Sequence, residues 1–418
     1  MMNKRYQHTI YACFCGFVVQ SIVNNFAPLL FVTFSGLYGV DLGRITLLVT
    51  INFAIQLAVD LCSVFFVDRI GYRASLVIAH AMSALGLAML AVLPDLMPDS
   101  YAGLLICVIF YAIGGGLLEV VISPVMEACP TEDKASAMSL LHSFYCWGHV
   151  AVVLLSTLFF VVFGIENWRI PALIWAVVPL INMIAFTRVP INKLPVSEED
   201  NSEGESQSGF RSVIRLFKNP VFLLLPLLMT CAGASEQAVS QWASTFAEKG
   251  LSVSKTLGDL MGPMFFAILM GTARAIYGKY GDRMDLNKCM IGSSLLCIMA
   301  YLLISLSPLP ILSLIGCGIC GFSVGIFWPG SLSLAGRRFP AGGTGMYAIL
   351  ALFGDVGCSL GPTVAGLISG GAEHLSLGIL CAVIFPVLML AGLFLFGGKK
   401  KKGTAPDHTG IGKNKQSI

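Results

Sequence analysis

Apolar runs long enough to cross a bilayer recur along this chain, and short polar stretches separate them at near-regular intervals. The runs lie near residues 8–36, 44–67, 73–94, 99–128, 134–163, 169–189, 219–247, 255–280, 287–307, 309–336, 340–370 and 374–397. About 20 apolar residues in a helix cover the roughly 30 Å hydrocarbon core. The pattern therefore predicts an all-α membrane protein of twelve transmembrane helices, numbered in chain order. One stretch has no apolar period at all. Residues 190–218 contain Ser197 to Gly209, reading SEEDNSEGESQSG, a composition that behaves as a flexible linker. It divides the chain into a six-helix half at 1–189, the linker at 190–218, a second half at 219–398 and a basic tail at 399–418.

Composition agrees with a membrane setting. The chain is 56% hydrophobic and only 12% charged, with a mean hydropathy of +0.81, whereas a soluble surface needs about twice that charge. Charge also sets the expected orientation. With both termini cytoplasmic, only Arg44, Arg169, Lys249 and Lys255 of the 26 basic residues fall on the outer face, the bias that positive-inside topology requires. The first run is too long for a removable signal peptide. Short termini and outer loops without Asn-x-Ser/Thr favour the plasma (inner) membrane of a bacterium. Most of the 13 cysteines fall inside apolar runs, where cysteine packs as a small hydrophobe. Cys317-x-x-Cys320 has no neighbouring His or second Cys pair, so no metal site is expected.

The informative residues are the polar ones that the bilayer should reject. Glu119 is the only charged residue between Asp99 and Glu127, and an ionisable group there must face a cavity or a partner. Helix 4 runs inward and helix 5 outward, which puts Glu119 and His142 both roughly 12 Å from the cytoplasmic boundary, at a depth where they can pair. His142, Tyr145, Cys146 and His149 share one helical face; Trp147 adds an aromatic surface. Helix 1 brings Gln20, Ser21, Asn24 and Asn25 to the midplane, and helix 7 brings Glu236, Gln237, Ser240 and Gln241. Amides and hydroxyls at that depth suit a polyhydroxylated solute, with Trp242, Phe327 and Trp328 as further stacking faces. Glu119, His142 and Glu236 are the expected proton-coupling residues, because shielding from water favours the protonated form of a carboxyl. Several polar groups have a plainer reading as interhelical contacts, among them Ser21, Asn52, Gln56 and Asn182. His80 reads as structural, Trp168 and Trp175 as interfacial anchors, Asp60 as a gate or helix contact, and Asp355 as a substrate or coupling residue or a helix contact.

The two halves carry matching features: Asp68-Arg69-Ile70-Gly71-Tyr72-Arg73 after helix 2 answers Gly281-Asp282-Arg283 after helix 8, as expected of a duplicated six-helix unit. The first of these resembles the signature loop of the major facilitator superfamily, with Val64 where that pattern usually has glycine. A narrower set is similar to its fucose permease branch: Gly114-x-Gly116-x-x-Glu119 with Pro124, Ser139 to Gly148, Gly233-x-x-Glu236 with Trp242, and Phe353 to Pro362 with Asp355. The resemblance implies the two-half, pseudo-symmetric major facilitator fold. It also implies gating by Asp68, Arg69, Arg73, Asp282 and Arg283, and sugar uptake coupled through Glu119 to protons, with sodium as the alternative ion. Pro28 stands where fucose permease has an aspartate, which counts against fucose itself. No bound cofactor, nucleic-acid partner or oligomer is implied; the expected protein is a monomer in the lipid bilayer. No H-E-x-x-H, G-x-S-x-G or paired metal-ligand motif lies at a depth plausible for an enzyme site. The rival function is proton-driven export of amphipathic drugs or lipids, for which the 17 Met and 27 Phe offer adaptable apolar surface.

Overall fold

The computed structural model describes residues 6–130, 134–192, 217–280, 284–339 and 343–398, and every regular element among them is helical. The expected linker thus lies mostly outside the described residues, as do the basic tail and the gating residues Asp282 and Arg283. The spans are α1 (Gln7–Tyr38), α2 (Leu42–Ile70), α3 (Tyr72–Leu90), α4 (Ser100–Glu127), α5 (Lys134–Phe163) and α6 (Arg169–Arg188) in the first half. The second half has α7 (Leu224–Ser240), α8 (Lys255–Tyr280), α9 (Leu286–Leu306), α10 (Pro310–Arg338), α11 (Gly343–Ser369) and α12 (Ala372–Gly397). Eleven are long and apolar enough to cross a membrane as they stand. The twelfth, α7, stops after 17 residues and resumes as Ala243–Thr245 and a π-helical turn at Phe246–Gly250. It is interrupted where Gln241 and Trp242 turn their side chains onto the backbones of α1 and α11.

Local chemistry explains the boundaries. Asp41, Asp99 and Asp285 cap α2, α4 and α9 by accepting from the backbone N–H of Arg44, Tyr101 and Lys288, which satisfies donors that a helix start leaves free. Pro28, lacking an N–H, sits in a single tight turn, Ala27–Leu30, that interrupts the α-helical run of α1.

Two close approaches position the site. Gly233 of α7 lies against the Gly354 carbonyl of α11, and Gly357 and Gly361 of α11 lie against the Thr230 and Ala234 carbonyls of α7. Any side chain at these positions would force the backbones apart. On the other side of the bundle, a Cβ at Gly116 of α4 would sit 3.0 Å from the Gln56 backbone of α2, so this glycine lets α2 pass close to α4.

Trp168 and Trp175 correct the reading of them as interfacial anchors. Trp168 is 1% exposed and meets Phe34 edge-on, and the buried Trp175 donates to Ser156 Oγ at 2.9 Å. The rings fill space between α1, α5 and α6 instead of marking the membrane surface.

The spans alternate, so α1 begins and α12 ends at the same end of the bundle, the termini end. At the far end the two halves are sealed together. Lys255 Nζ of α8 donates to the Leu29 carbonyl of α1 at 2.5 Å and lies 3.1 Å from Asp259. Asp259, fully buried, also accepts from Thr157 of α5 and from Ser244 beyond α7, and Thr50 of α2 meets Thr363 of α11 at 2.5 Å. Toward the termini end, His142 is exposed and Tyr145, Glu119 and Trp328 are half-buried, although all four lie two or more turns inside their helices.

Candidate functional site

The centre of the bundle holds one hydrogen-bonded chain that starts at Glu119 and ends at Arg274. Gln20 Nε2 of α1 donates to Glu119 Oε2 at 3.0 Å and to Gln56 Oε1 of α2 at 3.1 Å. Gln56 and Asn52, one turn apart on α2, both donate to Asn24 Oδ1, at 2.8 and 3.3 Å. The Asn24 backbone carbonyl accepts from Gln241 Nε2 at 3.1 Å, and here the chain crosses from the first half to the second. Gln241 then donates to Gln237 at 3.0 Å, and Gln237 to Glu236 Oε1 at 3.3 Å. Glu236 Oε2 is 3.1 Å from Arg274 Nη2 of α8, whose Nη1 reaches Cys146 Sγ of α5 at 3.4 Å. Beside this chain Asn25 binds the Ser21 carbonyl at 2.9 Å and the Tyr145 hydroxyl at 3.4 Å.

The structure therefore brings together Gln20, Asn24, Gln237, Gln241, Glu119 and Glu236, with Asn25 and Tyr145 alongside. It arranges others differently. Glu119 and His142 are separated by α1: Gln20 takes the carboxylate, and Phe17, one turn earlier, meets the His142 ring edge-on at 5.1 Å. Trp147 is 47% exposed, turned away from His142 and His149 and packed beside Gly271 of α8. Trp242 and Phe327 are fully buried. The Trp242 indole donates to the Pro362 carbonyl at 2.9 Å, so it secures the broken end of α7 against α11. Trp328 is half-buried, with its ring against Gly354. His149 is buried in α5.

Asp355 sits elsewhere than among the amides. Its carboxyl oxygen, one from Asp60 of α2 and one from Glu119 of α4 all lie within 4.8 Å of one another. The spacing of α2 accounts for Asp60: Asn52, Gln56 and Asp60 recur every four residues and share a face, which Gly116 allows to approach Glu119. Of the gating residues, Arg73 donates to the Phe186 and Val189 carbonyls at 2.5 and 2.7 Å, tying α3 to the end of α6. Arg69 is exposed, and Asp68 lies in the last turn of α2.

Arg274 is the main residue the sequence reading missed. A loop-by-loop charge count assigns it to the face that bears the termini, yet it lies within α8 with its Nε buried and unpartnered. Its position, 19 residues into the run that opens at Lys255, was the available signal.

Comparison with known proteins now has a geometry to explain. The sequence profile of the Major Facilitator Superfamily matches residues 12–362 and, overlapping, 266–416. No curated protein matches the sequence. Among solved structures, a bacterial homologue of the human lysosomal transporter Spinster, inward-facing and unoccupied, aligns with a TM-score of 0.74 at 15% identity, covering 95% of this chain and 98% of that one. The nucleoside transporter NupG aligns with a TM-score of 0.72 at 14% identity, and the fucose:proton symporter of E. coli with 0.66 at 16%. Each of these two is covered over 100% of its length and 96% of this chain. Identities this low carry the fold and no finer likeness. The profile match extends over most of the chain and agrees with twelve helical spans in two halves: the protein belongs to the Major Facilitator Superfamily and is a membrane transporter, not an enzyme.

Proposed function

We propose that the protein is a proton-coupled symporter of a sugar or similar small polar solute, working by alternating access in the plasma (inner) membrane with both termini cytoplasmic. The observation that carries this reading is the continuous chain from Glu119 to Glu236 and Arg274, which crosses between the halves at Gln241 and Asn24. A change in charge at Glu119 reorients the Gln20 amide, then Gln56 and Asn24, and so alters the contact holding α1 to α7. A proton then acts on the equilibrium between the two halves, as a coupling ion must, since a ligand shifts a two-state equilibrium only by binding its states differently.

Amides, the Tyr145 hydroxyl and few net charges line this region, which suits a solute with many hydroxyls. Solved structures of the same fold include a nucleoside transporter and a fucose:proton symporter, both of whose solutes carry sugar hydroxyls. Orientation rests on the distribution of Lys and Arg, and it makes the sealed far end the outer one. The test is a panel of hexoses, pentoses and nucleosides offered to proteoliposomes under an imposed proton gradient. Concentrative uptake of at least one is expected. Outward movement of hydrophobic cations or lipids, with no sugar or nucleoside accumulated, would replace symport by export.

A further inference from the structure

We propose that the crevice between α1 and α6 at the termini end is a binding site for the phosphate head group of an anionic phospholipid, held by Arg188, His8 and Tyr11. The two helices are laced together at both ends of this crevice. Asn182 Nδ2 donates to the Ala12 carbonyl at 3.0 Å at its deep end, and Thr9 Oγ1 donates to the Pro190 carbonyl at 2.7 Å at its mouth. Between these ties lies a cavity of about 360 Å³, walled by Ala12, Ala185 and Val189 and rimmed by the three polar side chains, all of them exposed.

The rim carries donors and no acid. Arg188, the last residue of α6, forms no ion pair or hydrogen bond among the described residues, whereas Arg73 at the same end is held by the Phe186 and Val189 carbonyls. The Tyr11 hydroxyl accepts from Gln7 Nε2 at 2.8 Å, which leaves its O–H to donate. His8 adds an imidazole N–H. A guanidinium grips phosphate oxygens through two parallel N–H bonds, and basic pockets between transmembrane helices take acidic head groups. A zwitterionic head group would bring an ammonium as well, for which no lining residue supplies a carboxylate.

Apolar surface on the same face of α6 argues for a lipid over a free anion. Ile181, Ile184 and Arg188 share that face by their spacing, and the two isoleucines are 64% and 48% exposed. At 1.5 Å per residue they lie roughly 6 to 10 Å deeper than Arg188, below the level of a head group. A phosphate held at Arg188 thus lays its acyl chains on surface that hydrocarbon must cover in any case. Both helices belong to the first half, so the lipid braces that half without joining it to the second. The inference needs only the membrane setting, and it fails separately from the proposed solute and coupling proton.

Purified protein in detergent is titrated with phosphatidylglycerol, phosphatidylcholine or inorganic phosphate, following thermal unfolding and, in parallel, the lipid retained in native mass spectra. Phosphatidylglycerol is expected to raise the unfolding temperature of the wild type in a saturable way, and the other two to raise it far less at equal concentration. Arg188→Gln should weaken phosphatidylglycerol binding by about fivefold or more, and Arg188→Gln combined with Tyr11→Phe should weaken it further. Lys288→Gln, which removes an 83% exposed base at the same end of the second half, binds as the wild type does. Variants are scored on their monodisperse fraction, so misfolding is not counted as lost affinity. Equal stabilisation by phosphatidylcholine or by inorganic phosphate overturns the proposal, and so does wild-type affinity in Arg188→Gln or an equal loss in Lys288→Gln.

Discussion

Two carboxylates near the centre of the bundle are held in opposite ways. Glu236 has a guanidinium 3.1 Å away, whereas Glu119 has an amide on one side and two more acids within 4.8 Å. At an effective dielectric of about 20, two unit charges at that separation repel by about 3.5 kcal/mol, so the cluster draws protons or cations while Glu236 is already neutralised. Removing Arg274 should therefore be costly. Arg274→Ala is expected to lower stability by about 3–5 kcal/mol, the cost of leaving one member of a buried pair alone, and Arg274→Met combined with Glu236→Gln should restore most of it. Unfolding in detergent measures both, and wild-type stability in the single variant would show that the pair is dispensable. Glu119, Glu236 and the amides of helices 1 and 7 were legible in the sequence because an isolated polar residue in an apolar run stands out. Arg274 was not, because a basic residue close to the end of a span reads as a loop anchor. Nor was the meeting of Asp60 with Asp355, since hydropathy carries no information on which helices become neighbours.

Among the described elements, α7 and α11 share the most extensive contact, and glycines along it allow the approach. Gly361→Val would drive a side chain into the Ala234 carbonyl and should destabilise by about 1–3 kcal/mol, as overpacking does. Gly292→Ala, where nothing lies within 4 Å, should leave the unfolding temperature at or slightly above wild type. Equal loss in the two variants would show that the cost is not a packing cost. The break in α7 was invisible to hydropathy, because residues 219–247 read as one run. It follows from side chains that find partners on other helices, which a single helix's pattern cannot report. The far-end seal depends on Lys255, whose ammonium holds a carbonyl of the first half and Asp259 of the second. Lys255→Met should speed hydrogen exchange at the far ends of α1, α5 and α7 while leaving the termini end unchanged. Unaltered exchange there would mean that Thr50 and Thr363 suffice to close it.

For the whole molecule, span length carried most of the fold prediction. A bilayer of fixed thickness makes twelve apolar runs nearly equivalent to twelve helices, and the fold that follows is shared at about 15% identity with transporters of solutes as different as fucose and nucleosides. That breadth is why the site cannot be read from the fold. A hydrogen-bonded path joins Glu119 to the contact between the halves, and the proposed function has a proton on Glu119 act along it. Accumulation of solute by Glu119→Gln in proteoliposomes under a pH gradient, set beside gradient-free exchange by the same preparation, tests this claim directly. The account predicts that accumulation is abolished while exchange persists, because the variant is fixed in the protonated charge state and still rocks. Accumulation at the wild-type level would contradict it.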